Sequence, residues 1–203
     1  MQIAPKCLVV AAACSMFLVG CSPREMAEHE RLKGLEHDSV PTLYQGPLVV
    51  TYRGRMGTLI SYSERSYRRI EMPSPSGHGY SLDDPVQGRV YFWMDFGRHK
   101  DQVRIRAMTK ETRAVLARWN GRTTAQRLGA CSAAGETGKL YRVHSGPGIK
   151  GLGIGFGEAC ITDDGVVLEE AQLTGDLSRR IVEKEAERVS RAPLPAGIFD
   201  PPV

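Results

Sequence analysis

This sequence has no apolar run of membrane-spanning length, few cysteines and a small net charge. Each of these three features excludes a class of protein. The longest apolar run is well short of the ~20 residues that a membrane-spanning helix needs, which excludes a polytopic membrane protein. Five cysteines in 203 residues are too few for a disulfide-dense scaffold. A net charge of +4 is too small to indicate nucleic-acid binding. The 41% hydrophobic content is still sufficient for one buried core.

Motifs for catalysis or metal binding are also missing. There is no His-Glu-x-x-His, no Cys-x-x-Cys and no Gly-x-Ser-x-Gly. The stretch from Gly146 to Gly151 formally matches Gly-x-Gly-x-x-Gly, but glycines continue to Gly157, so no helix N-terminus is available for a phosphate. We therefore expect a non-enzymatic protein with no metal, no cofactor and no nucleic-acid partner.

The N-terminus has the layout of a secretory signal. Lys6 is the only charged residue among residues 1–20, and an apolar run extends from Cys7 to Val19. The run ends in the letters LVGC, which resemble the bacterial lipobox. That resemblance implies cleavage before Cys21 and lipidation of its thiol. Two or three acyl chains anchor a protein firmly, whereas a single chain holds it only marginally.

Two alternatives to cleavage before Cys21 stay open. The letters AAAC, ending at Cys14, form a second and weaker lipobox, because the apolar run before them is shorter. The segment can also be an uncleaved or an ordinary signal in which Cys21 is incidental. If Cys21 is acylated, Ser22 in place of an Asp favours sorting to the outer membrane. We then expect a lipid-anchored protein on the periplasmic face of that membrane.

Removal of residues 1–20 leaves a mature chain with a tether and one domain. Residues 21–45 are polar and mixed in charge, which is typical of a membrane tether, and the domain is predicted over 46–203. Once Cys21 is acylated, Cys131 and Cys160 are the remaining cysteines in an oxidising compartment, which favours a disulfide between them. Two separate buried thiols are the alternative.

Alternation of apolar and polar residues predicts a domain that is mainly β. Leu48, Val50 and Tyr52 begin the pattern, and later strands are predicted near 125–132, 138–144, 157–162 and 165–173. The turn at 162–165 contains Asp-Gly, a strong hairpin signal. In another hairpin, residues 90–96 pair with a strand that turns Val103, Ile105 and Ala107 inward and Arg104 and Arg106 outward. Residues 109–120 predict a short helix that begins near Thr109.

Arginine and aromatic residues recur on the predicted strands, and each set has two interpretations. Alternating arginines such as Arg53, Arg104 and Arg106 are typical of a solvent-facing side. In a tethered protein the same residues can also attract anionic headgroups. The aromatic residues are typical of a core or of cross-strand pairs. If the sheet curves around a cavity, they line it instead.

The order of these features resembles a known group of proteins. The lipobox is followed by YRGRMG at 52–57, by EACITDDGVVL at 158–168, and by PLPAGIFDPP at 193–202. This resembles uncharacterised proteobacterial lipoproteins related to the Lol-type carrier and receptor superfamily. The resemblance covers 46–203 and is diffuse between 73 and 125. It also favours a final strand over the ambiguous segment 178–191, where Glu and Lys content alone favours a helix.

The resemblance implies a fold that is mainly β (α+β), a curved antiparallel sheet or unclosed β-barrel with a short helix against it. Such folds enclose an apolar cavity that can hold acyl chains. The candidate ligand-binding residues are Tyr52, Phe92, Trp93, Phe96, Trp119 and Phe156.

Two functions from different classes are therefore expected. The first is an outer-membrane-anchored periplasmic lipoprotein that binds an apolar ligand, such as lipid or a lipoprotein acyl chain. The second is an envelope structural or assembly factor that binds a protein partner and has no ligand cavity. A large apolar cavity favours the first, and a packed core with an exposed apolar patch favours the second.

Overall fold

The structure, a computed structural model, describes residues 37–96, 102–109, 124–145, 155–173 and 179–201. The predicted signal peptide over 1–20, Cys21, the loop at 146–151 and all of the predicted helix beyond Thr109 lie outside the described residues. Within the described ranges, no helix is long and apolar enough to cross a membrane.

Twelve strands form one antiparallel sheet in the described part of the chain. They are β1 His37–Ser39, β2 Leu48–Gly54, β3 Gly57–Glu64, β4 Tyr67–Ser74, β5 Gly77–Asp84, β6 Arg89–Asp95, β7 Arg104–Ala107, β8 Thr124–Ala133, β9 Glu136–Ser145, β10 Gly155–Ile161, β11 Val167–Leu173 and β12 Arg180–Ser190. The order across the sheet is β1-β8-β9-β10-β11-β12-β2-β3-β4-β5-β6-β7, so it is unclosed, with β1 and β7 at its edges. The predicted mainly β class is confirmed, and 178–191 contains a strand.

The sheet is curved. Strand β8 contacts β11 and β12, which are three and four places away in the strand order and would be out of reach in a flat sheet. The predicted disulfide between Cys131 of β8 and Cys160 of β10 is found in this curved part of the sheet. In a flat sheet, two strands separated by a third lie about 10 Å apart. Here the two cysteine Cα atoms are 6.0 Å apart, although β9 lies between them in the strand order.

Gly138 of β9 lies at this bend and permits it. It pairs with Cys131, and its neighbour two residues on, Leu140, pairs with Cys160, so all four lie on one face of the sheet. A Cβ on Gly138 would lie 2.6 Å from the carbonyl oxygen of Ile161. Any side chain at this position would therefore force β9 and β10 apart.

Two buried clusters form the core. The larger joins β2 to β10, β11 and β12, and consists of Leu48, Val50, Tyr52, Cys160, Val166, Leu168 and Ala186. The second consists of Val40, Ala125, Tyr141, Ala159 and Ile161. Alternate residues of β10 belong to different clusters: Ala159 and Ile161 lie in the second cluster, and Cys160 lies in the larger one. This alternation is what a strand buried on both sides requires.

The folded unit begins before the predicted boundary at 46. Strand β1 pairs with β8, and Val40, only 1% exposed, belongs to a core cluster. The chain then crosses the β10–β11 turn, where the Tyr44 amide donates to the Gly165 carbonyl at 3.1 Å. Gly165 has a φ of 89°, and a Cβ on it would lie 1.9 Å from the Thr42 carbonyl oxygen. The predicted Asp-Gly turn thus also packs against the segment that precedes β2, and only a glycine at position 165 leaves room for that segment.

The predicted inward orientation of β7 is wrong. Ile105 pairs with Tyr91 and is 56% exposed, and all four residues of β7 are exposed. The reason is position: β7 is an edge strand with β6 as its one neighbour among the described strands. Arg104 and Arg106 pair with Phe92 and Val90, so they share a face with these apolar residues.

Candidate ligand-binding face

One face of the sheet runs without interruption from the core to the β7 edge. Paired residues of antiparallel strands point to the same side, so the register defines rows of side chains. One row runs through Val50, Ser61, Ile70, Ser81, Phe92 and Arg104. A neighbouring row runs through Leu48, Ser63, Arg68, Asp83, Val90 and Arg106. Both rows begin in the buried core cluster of β2 and end on exposed arginines.

We call the part of this face on β4–β7 the Phe92 face; it carries Met72, Phe92, Met94, Phe96, Arg104 and Arg106. Met72 and Met94 both pair with Gly79, and Phe96 continues the alternation of β6. Phe92 is 38% exposed, Met94 39%, Met72 41% and Phe96 43%. Four large apolar side chains are therefore exposed side by side, which is typical of an interaction site and uncommon for a solvent-facing sheet surface.

The two arginines of β7 border this apolar surface. The Arg106 guanidinium carbon lies 5.8 Å from the centre of the Phe92 ring, a cation–π contact. A shallow groove of about 200 Å³ is lined by Phe92, Arg104 and Arg106. The Phe92 face thus combines an apolar floor with a cationic rim.

The opposite face of β3–β6 is occupied by aromatic and charged side chains that contact each other. Trp93 stacks on Tyr80 with ring centres 5.0 Å apart and planes 9° from parallel, and the Arg69 guanidinium lies 5.0 Å from the Tyr80 ring centre. Arg69 also forms an ion pair with Glu71 at 2.8 Å. Its Nη1 donates to the carbonyl of Ile198, in the C-terminal segment, at 3.1 Å. Trp93 therefore belongs to a structural aromatic and ionic cluster.

Tyr52 is a core residue at the inner end of the candidate face. It is 5% exposed, and its hydroxyl donates to the Val167 carbonyl at 2.8 Å. The Lys184 ammonium lies 4.8 Å from the ring centre and forms an ion pair with Glu170 at 3.2 Å. Burial and the charge of Glu170 raise the pKa of the Tyr52 phenol far above its usual value. The phenol therefore remains neutral and hydrogen-bonded under physiological conditions.

A buried carboxylate that sequence reasoning missed lies between β9 and β11. Glu158 is 3% exposed, and its Oε1 accepts from Nη2 of Arg142 at 2.7 Å. Its Oε2 accepts from Nε of Arg180 at 2.6 Å, and Arg180 also bonds Glu169. Burial opposes the charge of Arg180, yet the hydrogen bonds to the two carboxylates outweigh it and raise the pKa of Arg180. No sequence signal marks Glu158, because one Glu in a strand is usually exposed.

The predicted ligand-binding residues divide among several environments. Phe92 and Phe96 are exposed on the Phe92 face, whereas Tyr52 is buried and Trp93 lies on the opposite face. Trp119 lies outside the described residues, and of Phe156 only the backbone, in β10, is described. Sequence reasoning did not include Met72, Met94, Arg104 or Arg106 in the site, although the alternation of β6 already aligns Met94 with Phe92.

One further groove lies at the C-terminal segment. An open groove of about 400 Å³ runs along residues 193–200 beside Pro47 and Glu64. Among the residues that the structure describes, no group of three or more His, Cys, Asp or Glu side chains is arranged to hold a metal ion. Comparison of the chain with protein-family models and with curated protein sequences finds no match.

Proposed function

We propose that this protein is an outer-membrane-anchored periplasmic lipoprotein that binds an apolar ligand, such as a lipid or a lipoprotein acyl chain, without catalysing a reaction. The observation that carries the proposal is the exposed apolar floor of the Phe92 face. The lipobox ending at Cys21 and the resemblance to Lol-type lipoproteins support the location. A Lol-like domain with the short helix 109–120 against its sheet is part of the same proposal.

The site for this ligand is a surface that continues the core. Side chains 0–7% exposed fill the face between β2, β10 and β11, so the ligand lies farther along the same face, over Phe92 and Met94. Each methylene of an acyl chain that leaves water there contributes about 0.8 kcal/mol. Small side chains at Ser81 and Gly79 separate the bulky ones and leave a shallow floor.

A protein partner is the second candidate function, and edge strand β7 favours it. Its outer edge faces no strand among the described residues, and such an edge can pair with a strand of another chain. A packed core beside an exposed apolar patch is also the arrangement expected for this candidate, whereas the first function requires its apolar ligand to bind at the surface of the sheet.

Native mass spectrometry of the full chain, purified in mild detergent, separates the two functions. We expect the N-terminus to begin at acylated Cys21 and the protein to carry additional lipid-sized mass that mild activation removes. The double variant Phe92→Gln/Met94→Gln should lose most of this mass. The matched control is Met56→Gln/Val86→Gln, which changes residues 101% and 77% exposed at hairpin turns away from the Phe92 face.

The outcomes are distinct. Retained lipid in the Phe92→Gln/Met94→Gln variant, with an unchanged melting temperature, would exclude the Phe92 face as the ligand site. A wild-type chain that never carries lipid would contradict the first function and favour the protein partner. An unprocessed N-terminus would contradict the anchor.

A further inference from the structure

We propose that the Phe92 face binds one anionic phospholipid, with an acyl chain over Phe92 and Met94 and the phosphate between Arg104 and Arg106. This inference rests on the proposed function and adds the chemical class of the headgroup. Three features carry it: unpaired arginines, their spacing, and the sign of the local charge.

No carboxylate of the described residues pairs with Arg104 or Arg106, whereas seven other arginines of the chain do have such a partner. Ion pairs to Asp or Glu are made by Arg53, Arg55, Arg68, Arg69, Arg142, Arg180 and Arg191. Both β7 arginines are also exposed, so neither has been desolvated by the fold. Their guanidinium donors are available to an external anion.

The spacing of the two arginines suits a phosphate. They stand two residues apart on one strand, so their side chains leave the same face about 7 Å apart. Guanidinium groups at this separation can converge on one phosphate, which accepts the paired donors of Arg in a bidentate manner. Arg104 is the direct cross-strand partner of Phe92, and Arg106 lies over its ring. A phosphate at this rim would place the attached chain on the apolar floor.

The local charge favours an anion. Asp83 is the carboxylate in the same row as Arg106, but it is 4% exposed and already accepts from Arg68 at 2.9 Å. Asp95 pairs with His78 and lies on the opposite face of β6, the face that carries the Tyr80–Trp93 pair. The Phe92 face therefore presents a net positive rim, which complements an anionic headgroup better than a zwitterionic one.

Native mass spectrometry with short-chain lipids tests the headgroup. The full chain in dodecyl maltoside is titrated with dioctanoyl phosphatidylglycerol and, separately, with dioctanoyl phosphatidylcholine. We expect phosphatidylglycerol to bind about tenfold more tightly, because its net negative charge is attracted by both arginines. The variant Arg104→Gln/Arg106→Gln should bind both lipids equally, at the phosphatidylcholine level.

A matched control removes the same charge elsewhere. Arg53→Gln/Arg55→Gln also changes two exposed arginines two residues apart, but both are paired with Glu and lie at the β2–β3 turn. This variant should keep the preference for phosphatidylglycerol. Inorganic phosphate in large excess should not displace phosphatidylglycerol, because the acyl chain supplies most of the affinity.

The other results overturn the inference in separable ways. Equal binding of both lipids by the wild type, or an unchanged preference in Arg104→Gln/Arg106→Gln, would reject the headgroup site and leave the apolar site intact. Displacement by inorganic phosphate would indicate a free-anion site. Absence of binding by either lipid would reject the proposed function itself, and the headgroup inference with it.

Discussion

At Tyr52, hydrogen bonding and electrostatics act on a single buried phenol. Its hydroxyl donates to the Val167 carbonyl, which ties β2 to β11 across the intervening β12. The low exposure of the ring and the nearby Glu170 favour the neutral form, whereas Arg68 opposes them weakly. The Tyr52 side chain therefore donates one defined hydrogen bond within the core, and its ring also buries apolar surface there.

Replacement of Tyr52 by Phe should lower stability at neutral pH by about 1 kcal/mol, because the Val167 carbonyl loses its donor. The pKa of the folded phenol lies above 10.0, its value in an unfolded chain. Stability from this group is therefore complete below pH 10 and is lost as the pH rises further, by up to about 1.4 kcal/mol per pH unit. The difference between wild type and Tyr52→Phe should shrink above pH 10.

Urea unfolding between pH 7 and pH 11 measures this difference. Tyr62 and Tyr80, whose pKa values are also raised by burial, are present in both proteins and cancel in the comparison. A difference that stays constant with pH would show that the Tyr52 phenol titrates alike in the folded and unfolded states.

At the scale of elements, Arg191 holds three segments together just after β12. Its guanidinium donates twice to Glu136, in β9 next to the β8–β9 turn, at 2.5 and 2.8 Å. Its Nε donates to Asp164, in the β10–β11 turn, at 2.9 Å, and it lies 5.6 Å from the Tyr44 ring centre. The hydrogen bond to Glu136 raises the pKa of Arg191. Burial alone would raise the pKa of Asp164, but the hydrogen bonds from Thr162 and Arg191 outweigh burial and lower this pKa.

A double-mutant cycle with Arg191→Gln and Glu136→Gln should give a coupling energy of about 1 kcal/mol in denaturant unfolding. The bidentate geometry is the reason, so Arg191→Lys should recover only part of the loss. The control is the cycle of Arg53 and Glu185, which form a more exposed pair and should show no measurable coupling. Equal coupling in both cycles would mean that the geometry at Arg191 adds nothing.

At the scale of the whole molecule, burial is unequal along the sheet. The largest fully buried side chains are Leu82, Ile161, Leu168, Val40, Val50, Val166 and Cys160. All except Leu82 lie in or directly beside β1, β2, β10 and β11. The Cys131–Cys160 disulfide lies in the same half of the sheet. Strands β4–β7 bury fewer large apolar side chains: Leu82, Val90 and Tyr91 are buried, whereas their other large apolar side chains are half-buried or exposed.

Hydrogen exchange should therefore be slower in β10 and β11 than in β6 and β7. Backbone hydrogen bonds exchange by local opening, and opening costs less free energy where few apolar side chains are buried. Exchange detected by mass spectrometry on peptides of the intact, oxidised chain measures this. Uniform protection across the sheet would show that the molecule opens as one cooperative unit.

Local pattern in the sequence determined most of the strands, the turn at Thr162–Gly165 and the disulfide partners. Alternation reports directly which residues can share a face, and Asp-Gly supplies the backbone conformation of a tight turn. The cysteine pairing followed from the compartment that the predicted signal implies. The strand within 178–191 required the resemblance, because Glu and Lys content and β alternation there point in opposite directions.

Tertiary structure alone decided which face of each strand is buried. Phe92 and Tyr91 are adjacent aromatic residues in the sequence, yet Tyr91 is 4% exposed and Phe92 38%. Both residues belong to β6, so the difference is one of face: Phe92 lies on the open Phe92 face, and Tyr91 lies on the opposite face beside buried Leu82. Long-range pairing also buried Glu158 between two arginines and brought Arg104 beside Phe92. Periodicity records two sides of a strand, but only the packing of distant strands determines which side meets water.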